Sequence, residues 1–144
     1  MPTITVNKTD LEHLAGQSYS IDDLSTALET AKAEIDVQEG DTLRIQLKDT
    51  NRPDLWSAEG LARLLKGARE NSHPPYSFFG QTHSDREVHV DPGIQNIRPY
   101  IAAFACEGIL IDEPALEALI EAQEKLADGY GRGRSAVAIG IYDA

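Results

Sequence analysis

Two short segments of this 144-residue chain hold residue types from which chemistry could be built. The first is Gly129-Tyr130-Gly131-Arg132-Gly133-Arg134. Glycines let backbone N–H groups approach an anion, and guanidinium groups supply bidentate charge. Arg132 and Arg134 are therefore the candidate RNA contacts. The segment follows a predicted helix instead of opening one, the reverse of a phosphate loop or a dinucleotide fingerprint. A plain helix-to-strand turn is the competing reading. The second segment is Asn51-Arg52-Pro53-Asp54-Leu55, which runs on through Trp56 and Ser57 to Arg63. Pro53 biases Arg52 away from helical conformation, and the Asn51 side chain can close a turn. Arg52 can pair with a carboxylate, while Asp54 or Ser57 can cap the helix that follows. We read Asn51, Arg52, Pro53 and Asp54 as a structural strand-to-helix corner, with a ligand site as the alternative.

Other chemistry finds little support. The sequence contains no Cys-x-x-Cys pair, no His-Glu-x-x-His, no Gly-Lys-Ser or Gly-Lys-Thr phosphate loop and no Gly-x-Ser-x-Gly elbow. His13, His73, His83 and His89 lack the usual metal-ligand spacing, so no metal site and no catalytic residue is assigned. His73 and His83 read as solvated linker residues. Cys106, the single cysteine, lies in the apolar run Tyr100 to Cys106 and is expected to be a buried, inert thiol.

Charge limits what these segments can do alone. A net charge of -11 opposes phosphate, so the isolated chain should bind RNA poorly. The 41% hydrophobic and 26% charged fractions suit a soluble globular protein. No apolar run approaches the roughly 20 residues of a membrane span, and no secretory signal opens the chain, so no membrane partner and a cytoplasmic location are expected.

The elements that must position the two segments follow from periodicity. Thr3 to Val6 reads as a first strand, and Thr9 with Glu12 as a capping box for a short helix stopped by Gly16. Ser20 caps a second helix whose stripe is Ile21, Leu24, Leu28, Ala31 and Ile35. Glu39-Gly40-Asp41 turns into a strand carrying Leu43, Ile45 and Leu47, and Leu61, Leu64, Leu65 and Ala68 mark a helix after the corner. Prolines and glycines then crowd the chain up to Gly93, with one short strand expected near Val88 to Val90. Beyond them, Tyr100 to Cys106 reads as a strand buried on both faces. A helix capped by Asp112, with Pro114 in its first turn, turns Leu116, Leu119, Ile120 and Leu126 inward, and Ala136 to Tyr142 reads as another strand. The expected architecture is α+β: an N-terminal module over 1–70, a linker over 71–93, and over 94–144 the first strand–helix–strand of a larger domain. Those few strands do not make a stable sheet, so the polypeptide is expected to end within a fold.

Several of these residues also match a known pattern. Asn51-Arg52-Pro53-Asp54-Leu55, then Ser57, Glu59-Gly60 and Leu61-Ala62-Arg63, resemble the signature of the N-terminal module of phenylalanyl-tRNA synthetase β subunits of the archaeal and eukaryotic type. The opening Met1 to Val6 and the stretch Ala31 to Asp36 are similar to that family as well. Ile97-Arg98-Pro99-Tyr100-Ile101, Leu119 to Leu126, Arg132-Gly133-Arg134 and Val137 to Ile141 resemble the start of its editing (B3/B4-like) module, in order. Tyr142 departs from the pattern, which often has histidine there. The resemblance implies a ligase of two α and two β subunits that charges tRNA(Phe) with phenylalanine, using ATP and magnesium. It implies an α subunit and tRNA(Phe) as partners, and an editing module that removes mischarged tyrosine. Residues carrying that chemistry would lie beyond Ala144, so the chain alone is expected to be inactive. A stand-alone RNA- or protein-binding module is the alternative.

Overall fold

In the computed structural model the described residues are 2–72 and 86–142. Three strands form one antiparallel sheet: β1 (Thr3–Asn7), β2 (Ala33–Glu39) and β3 (Thr42–Leu47), with β3 in the middle. Four α-helices accompany them: α1 (Lys8–Ala15), α2 (Ile21–Leu28), α3 (Ala58–Glu70) and α4 (Glu113–Lys125). The α+β class expected from the sequence is the one observed. By contacts, Met1–His73 and Ile111–Tyr142 form one unit and Pro74–Leu110 falls in a second. The sequence limits 1–70 and 94–144 differ from this division, which follows contacts within the chain alone.

Alternation builds the core. Ile4 and Val6 of β1 and Leu43, Ile45 and Leu47 of β3 are buried, while their neighbours Thr5 and Arg44 are exposed. The helices add Leu11, Ala15, Leu24, Leu28, Leu61, Ala62 and Leu65 to the same cluster. Each fully buried leucine or isoleucine contributes on the order of 1.5–3 kcal/mol. Arg69, in the last turn of α3, donates to the carbonyls of Ala15 and Gly16, both at 3.2 Å. That places a cation at the carboxyl end of α1, where the helix dipole favours it.

Helix ends match the sequence in most places. Ser20 caps α2 by accepting from the Asp23 amide at 3.1 Å, and Gly16 (φ 68°) ends α1 in the left-handed region. The start of α1 is a correction. Asn7, not Thr9, is its N-cap and accepts from the Asp10 amide at 2.9 Å. Asn7 is the last residue of β1 and holds extended φ/ψ, so its side chain is already in capping position. The Thr9 hydroxyl bonds Asp41, and the Glu12 carboxylate accepts from Lys8 and from the Tyr19 amide at 2.6 Å.

The second correction concerns 29–39. The stripe read as one helix through Ile35 ends at Leu28, where a 3-10 turn (Glu29–Ala31) takes over. Lys32 adopts a left-handed φ of 49°, and β2 begins at Ala33. Ala33, Ile35 and Val37 also alternate, so helical and strand spacing coincide here. Pairing of β2 with β3 decides between them, with a bulge between Ile35 and Val37.

The largest differences lie later in the chain. Residues 98–107 and 137–142 carry no strand, and Val88 to Val90 carry none. Tyr100 and Phe104 are more than nine-tenths exposed, and Cys106 is exposed, not buried. A strand needs a neighbour to receive its N–H and C=O groups, and none of the described residues supplies one. Helix α4 forms as expected, with Asp112 accepting from the Ala115 amide at 3.0 Å. Yet Leu116, Leu119 and Ile120 stay 40% or more exposed, and of the expected inner face only Leu126 packs on the core. In the second unit, Asp91 caps a 3-10 turn at Pro92–Ile94, and Arg86 pairs with Glu107. No helix of the described residues is long and apolar enough to cross a membrane.

Candidate functional site

The corner between β3 and α3 is built from two turns in series. Pro53 opens a 3-10 turn, Pro53–Leu55, preceded by Arg52 in a non-helical conformation. This is the restriction that a following proline imposes. Ser57 is extended (φ -149°, ψ 162°) and caps α3, its hydroxyl accepting from the Gly60 amide at 3.2 Å. Of the two residues able to cap, the chain uses Ser57.

Asp54 is thereby free for a different task. Arg52 grips it with two parallel bonds, Nε to Oδ1 at 2.9 Å and Nη2 to Oδ2 at 2.8 Å. Arg63, on α3, approaches the same carboxylate at 3.8 Å. The Arg52 bonds hold the Asp54 carboxyl below the usual carboxylate range, against a smaller opposing effect of burial. The same bonds raise Arg52 above its ordinary value. Both side chains are over 40% exposed, so screening limits the pair to about 0.2–1 kcal/mol. Because the folded-state value is depressed, this contribution is present above the ordinary carboxylate pKa and lost as pH falls through the lower one. Ser57→Ala is expected to cost about 1 kcal/mol through the lost cap. Asp54→Ala is expected to cost less, and urea denaturation of the two variants ranks them.

Behind the ion pair, the corner is apolar. Leu55 and Trp56 are buried in the core. Trp56 was not singled out by sequence, because a lone indole in a polar turn carries no periodicity. An open crevice of about 430 Å³ beside it is lined by Pro2, Thr3, Thr50, Lys125, Asp128, Gly129 and Tyr130. The corner and the start of the later glycine segment thus come together around one crevice of this unit.

Arg132 and Arg134 sit in that second segment, just past a π-helical turn at Leu126–Tyr130. Their backbone N–H groups are already used. Gly131 donates to Leu126 at 2.8 Å, Arg132 to Gly129 at 3.2 Å, Gly133 to Asp128 at 2.8 Å and Arg134 to Ala127 at 2.8 Å. These bonds satisfy the last carbonyls of a helix, the role of a C-cap. Arg132, Gly133 and Arg134 all have positive φ, and the Arg134 guanidinium lies 3.7 Å from Glu124. A loop whose amides point back into its own helix offers an anion side chains only. His73 and His83 lie outside the described residues, and His89 is exposed with its ring 3.6 Å from Glu87. Among the described residues no group of three or more His, Cys, Asp or Glu side chains is placed to hold a metal.

Comparison with known proteins gives one consistent result. No protein-family model matches the chain. It is 45% identical over 149 residues to the "Phenylalanine--tRNA ligase beta subunit" of Pyrococcus furiosus and 39% identical over 151 residues to that of Borrelia recurrentis. These alignments take in 99% and 100% of the chain but 26% and 27% of the relatives, so the chain spans about a quarter of their length. A crystal structure of an N-terminal fragment of the phenylalanyl-tRNA synthetase β subunit from Pyrococcus horikoshii superposes with a TM-score of 0.83 at 40% identity. That match covers 99% of this chain and 42% of the other.

Proposed function

We propose that this chain, related along its whole length to the N-terminal part of archaeal-type phenylalanine–tRNA ligase β subunits, serves as that part of such a subunit. The observation that carries the reading is continuity. Sequence identity of 39–45% and the superposed fragment each extend over 99% or more of the chain. In this role residues 1–70 form an assembly module, and 94–144 begin the editing domain, which removes tyrosine from mischarged tRNA(Phe). The partners are an α subunit, two copies of each chain together, and tRNA(Phe). ATP and magnesium act in the complete cytoplasmic enzyme at residues other than those of this chain, so the chain by itself is expected to be inactive. The exposed apolar run Tyr100 to Cys106 supports the reading, since the rest of an editing domain would supply strands to cover it.

The test compares the assembled ligase with and without this segment of its β subunit. Loss of α-subunit assembly, of tRNA(Phe) charging, or of Tyr-tRNA(Phe) hydrolysis is the expected result. An enzyme that assembles, charges and edits normally without it overturns the proposal. The second reading, a stand-alone RNA- or protein-binding module, is favoured only by Arg132 and Arg134. A tRNA titration of the isolated chain separates the two, because phosphate contacts give binding that falls steeply with salt.

A further inference from the structure

Trp56 meets the π-helical turn at Leu126–Tyr130 in a close contact. It joins residues far apart in sequence, from the corner before α3 and from the end of α4. It depends on an absent side chain. A Cβ on Gly129 would lie 2.8 Å from Cζ3 and 3.1 Å from Cη2 of the Trp56 ring. Those are atoms of a rigid indole held in the core, so the ring cannot step aside as a flexible side chain would. Ala127 is 1% exposed and Leu126 packs on the core cluster, so the turn is seated by the residues that precede the glycine, while Tyr130 after it is exposed. A π-turn bulges the backbone by one residue and is often found where a helix meets a functional neighbour.

The seat is also imperfect in one specific way. Trp56 is 7% exposed, and its Nε1–H finds no acceptor among the described residues. A buried donor without a partner weakens the state that buries it, because opening returns that donor to water. The neighbouring crevice, rimmed by Thr3, Thr50 and Tyr130, gives water a short path to the ring once the turn lifts. Close packing that favours docking is thus set against an unpaired N–H that favours release.

We infer that the turn at Leu126–Tyr130 is a reversible latch on Trp56, closing by the fit of Gly129 against the indole and coupling α4 to the corner between β3 and α3. The coupling runs through a short stretch of chain. Trp56 directly follows Leu55 of the 3-10 turn, and Ser57, the cap of α3, directly follows Trp56. Displacement of the ring therefore bears on the Arg52–Asp54 pair and on the first turn of α3 together. This does not depend on the ligase reading, since it concerns contacts within one unit of the chain.

Trp56 is the single tryptophan, so the tryptophan fluorescence of the intact chain reports the surroundings of this one ring. In the unaltered protein, emission is expected at short wavelength with little quenching by acrylamide. Quenching should rise on warming before the far-UV circular dichroism changes. Gly129→Val should shift emission to longer wavelength and raise the quenching constant severalfold, with far-UV circular dichroism unchanged. A Gly129→Val chain that folds and stays as shielded as the unaltered one overturns the latch. So does an unaltered chain already as quenchable as free tryptophan, or one whose quenching rises only together with unfolding. If Gly129→Val loses its fold, Gly129→Ala gives the reading, because its Cβ alone meets the ring. Unchanged shielding in that variant overturns the proposal equally, and a severalfold rise supports it.

Discussion

Gly60→Ala is expected to lower stability by about 3 kcal/mol or more, the upper range for forcing an extra carbon into a packed site. Position 60 lies in the first turn of α3, where alanine would ordinarily be the better helix former by roughly 1 kcal/mol. Here sterics reverse the sign. A Cβ at Gly60 would sit 1.8 Å from the Asp54 carbonyl oxygen, 2.9 Å from its carbon and 3.3 Å from Cα of Leu55. All three are backbone atoms of the preceding 3-10 turn, so no side-chain rotation relieves the clash. Helix α3 must move off the corner, and Leu61 and Ala62 move with it. Thermal or urea unfolding measures the loss, expected to exceed about 10 °C in midpoint for a module of this size. An alanine variant as stable as the unaltered chain would mean that α3 does not pack on the corner in this way. Asp54→Ala is expected to cost less, so within this motif the charged residue should matter less to stability than the glycine.

That contrast shows what could be read from sequence at this site. Pro53 and Ser57 were legible, since proline restricts its predecessor and a hydroxyl residue before a helix caps it. The bidentate grip of Arg52 on Asp54 was open only as one option, because a guanidinium can take any nearby carboxylate. Gly60 stood in the resemblance motif, but its reason is a backbone approach that no local pattern encodes. Trp56 and Gly129 were illegible for the same cause: their contact joins segments separated by about half of the chain. At the level of fold, the early strands and helix caps were readable wherever a single period dominated. Residues 31–37 fit two periods, and pairing with β3 chose between them. For Tyr100 to Cys106 the apolar run predicts a doubly buried strand, but composition supplies no neighbour. Hydrogen-bonded strands are a property of pairs, so the run stays unpaired among the described residues.

Ile45→Ala should be the second severe variant, costing about 2–5 kcal/mol as expected for deleting a fully buried isoleucine to alanine. Ile45 is 0% exposed in the central strand. Its direct cross-strand partners are Ile4 on β1 and Ile35 on β2, so the three side chains form one row on a single face of the sheet. Removing the middle member leaves a gap bounded on both sides by strands, with no loop able to collapse into it. The row also predicts an order. Ile4 is 1% exposed on an edge strand and should cost somewhat less, while Ile35 is only partly buried beside the bulge and should cost least. Midpoints of urea unfolding for the three alanine variants test that order against a simple rival. If burial alone ruled, Ile4→Ala and Ile45→Ala would be equal; a greater cost at Ile45 measures what a second flanking strand adds to the same side chain.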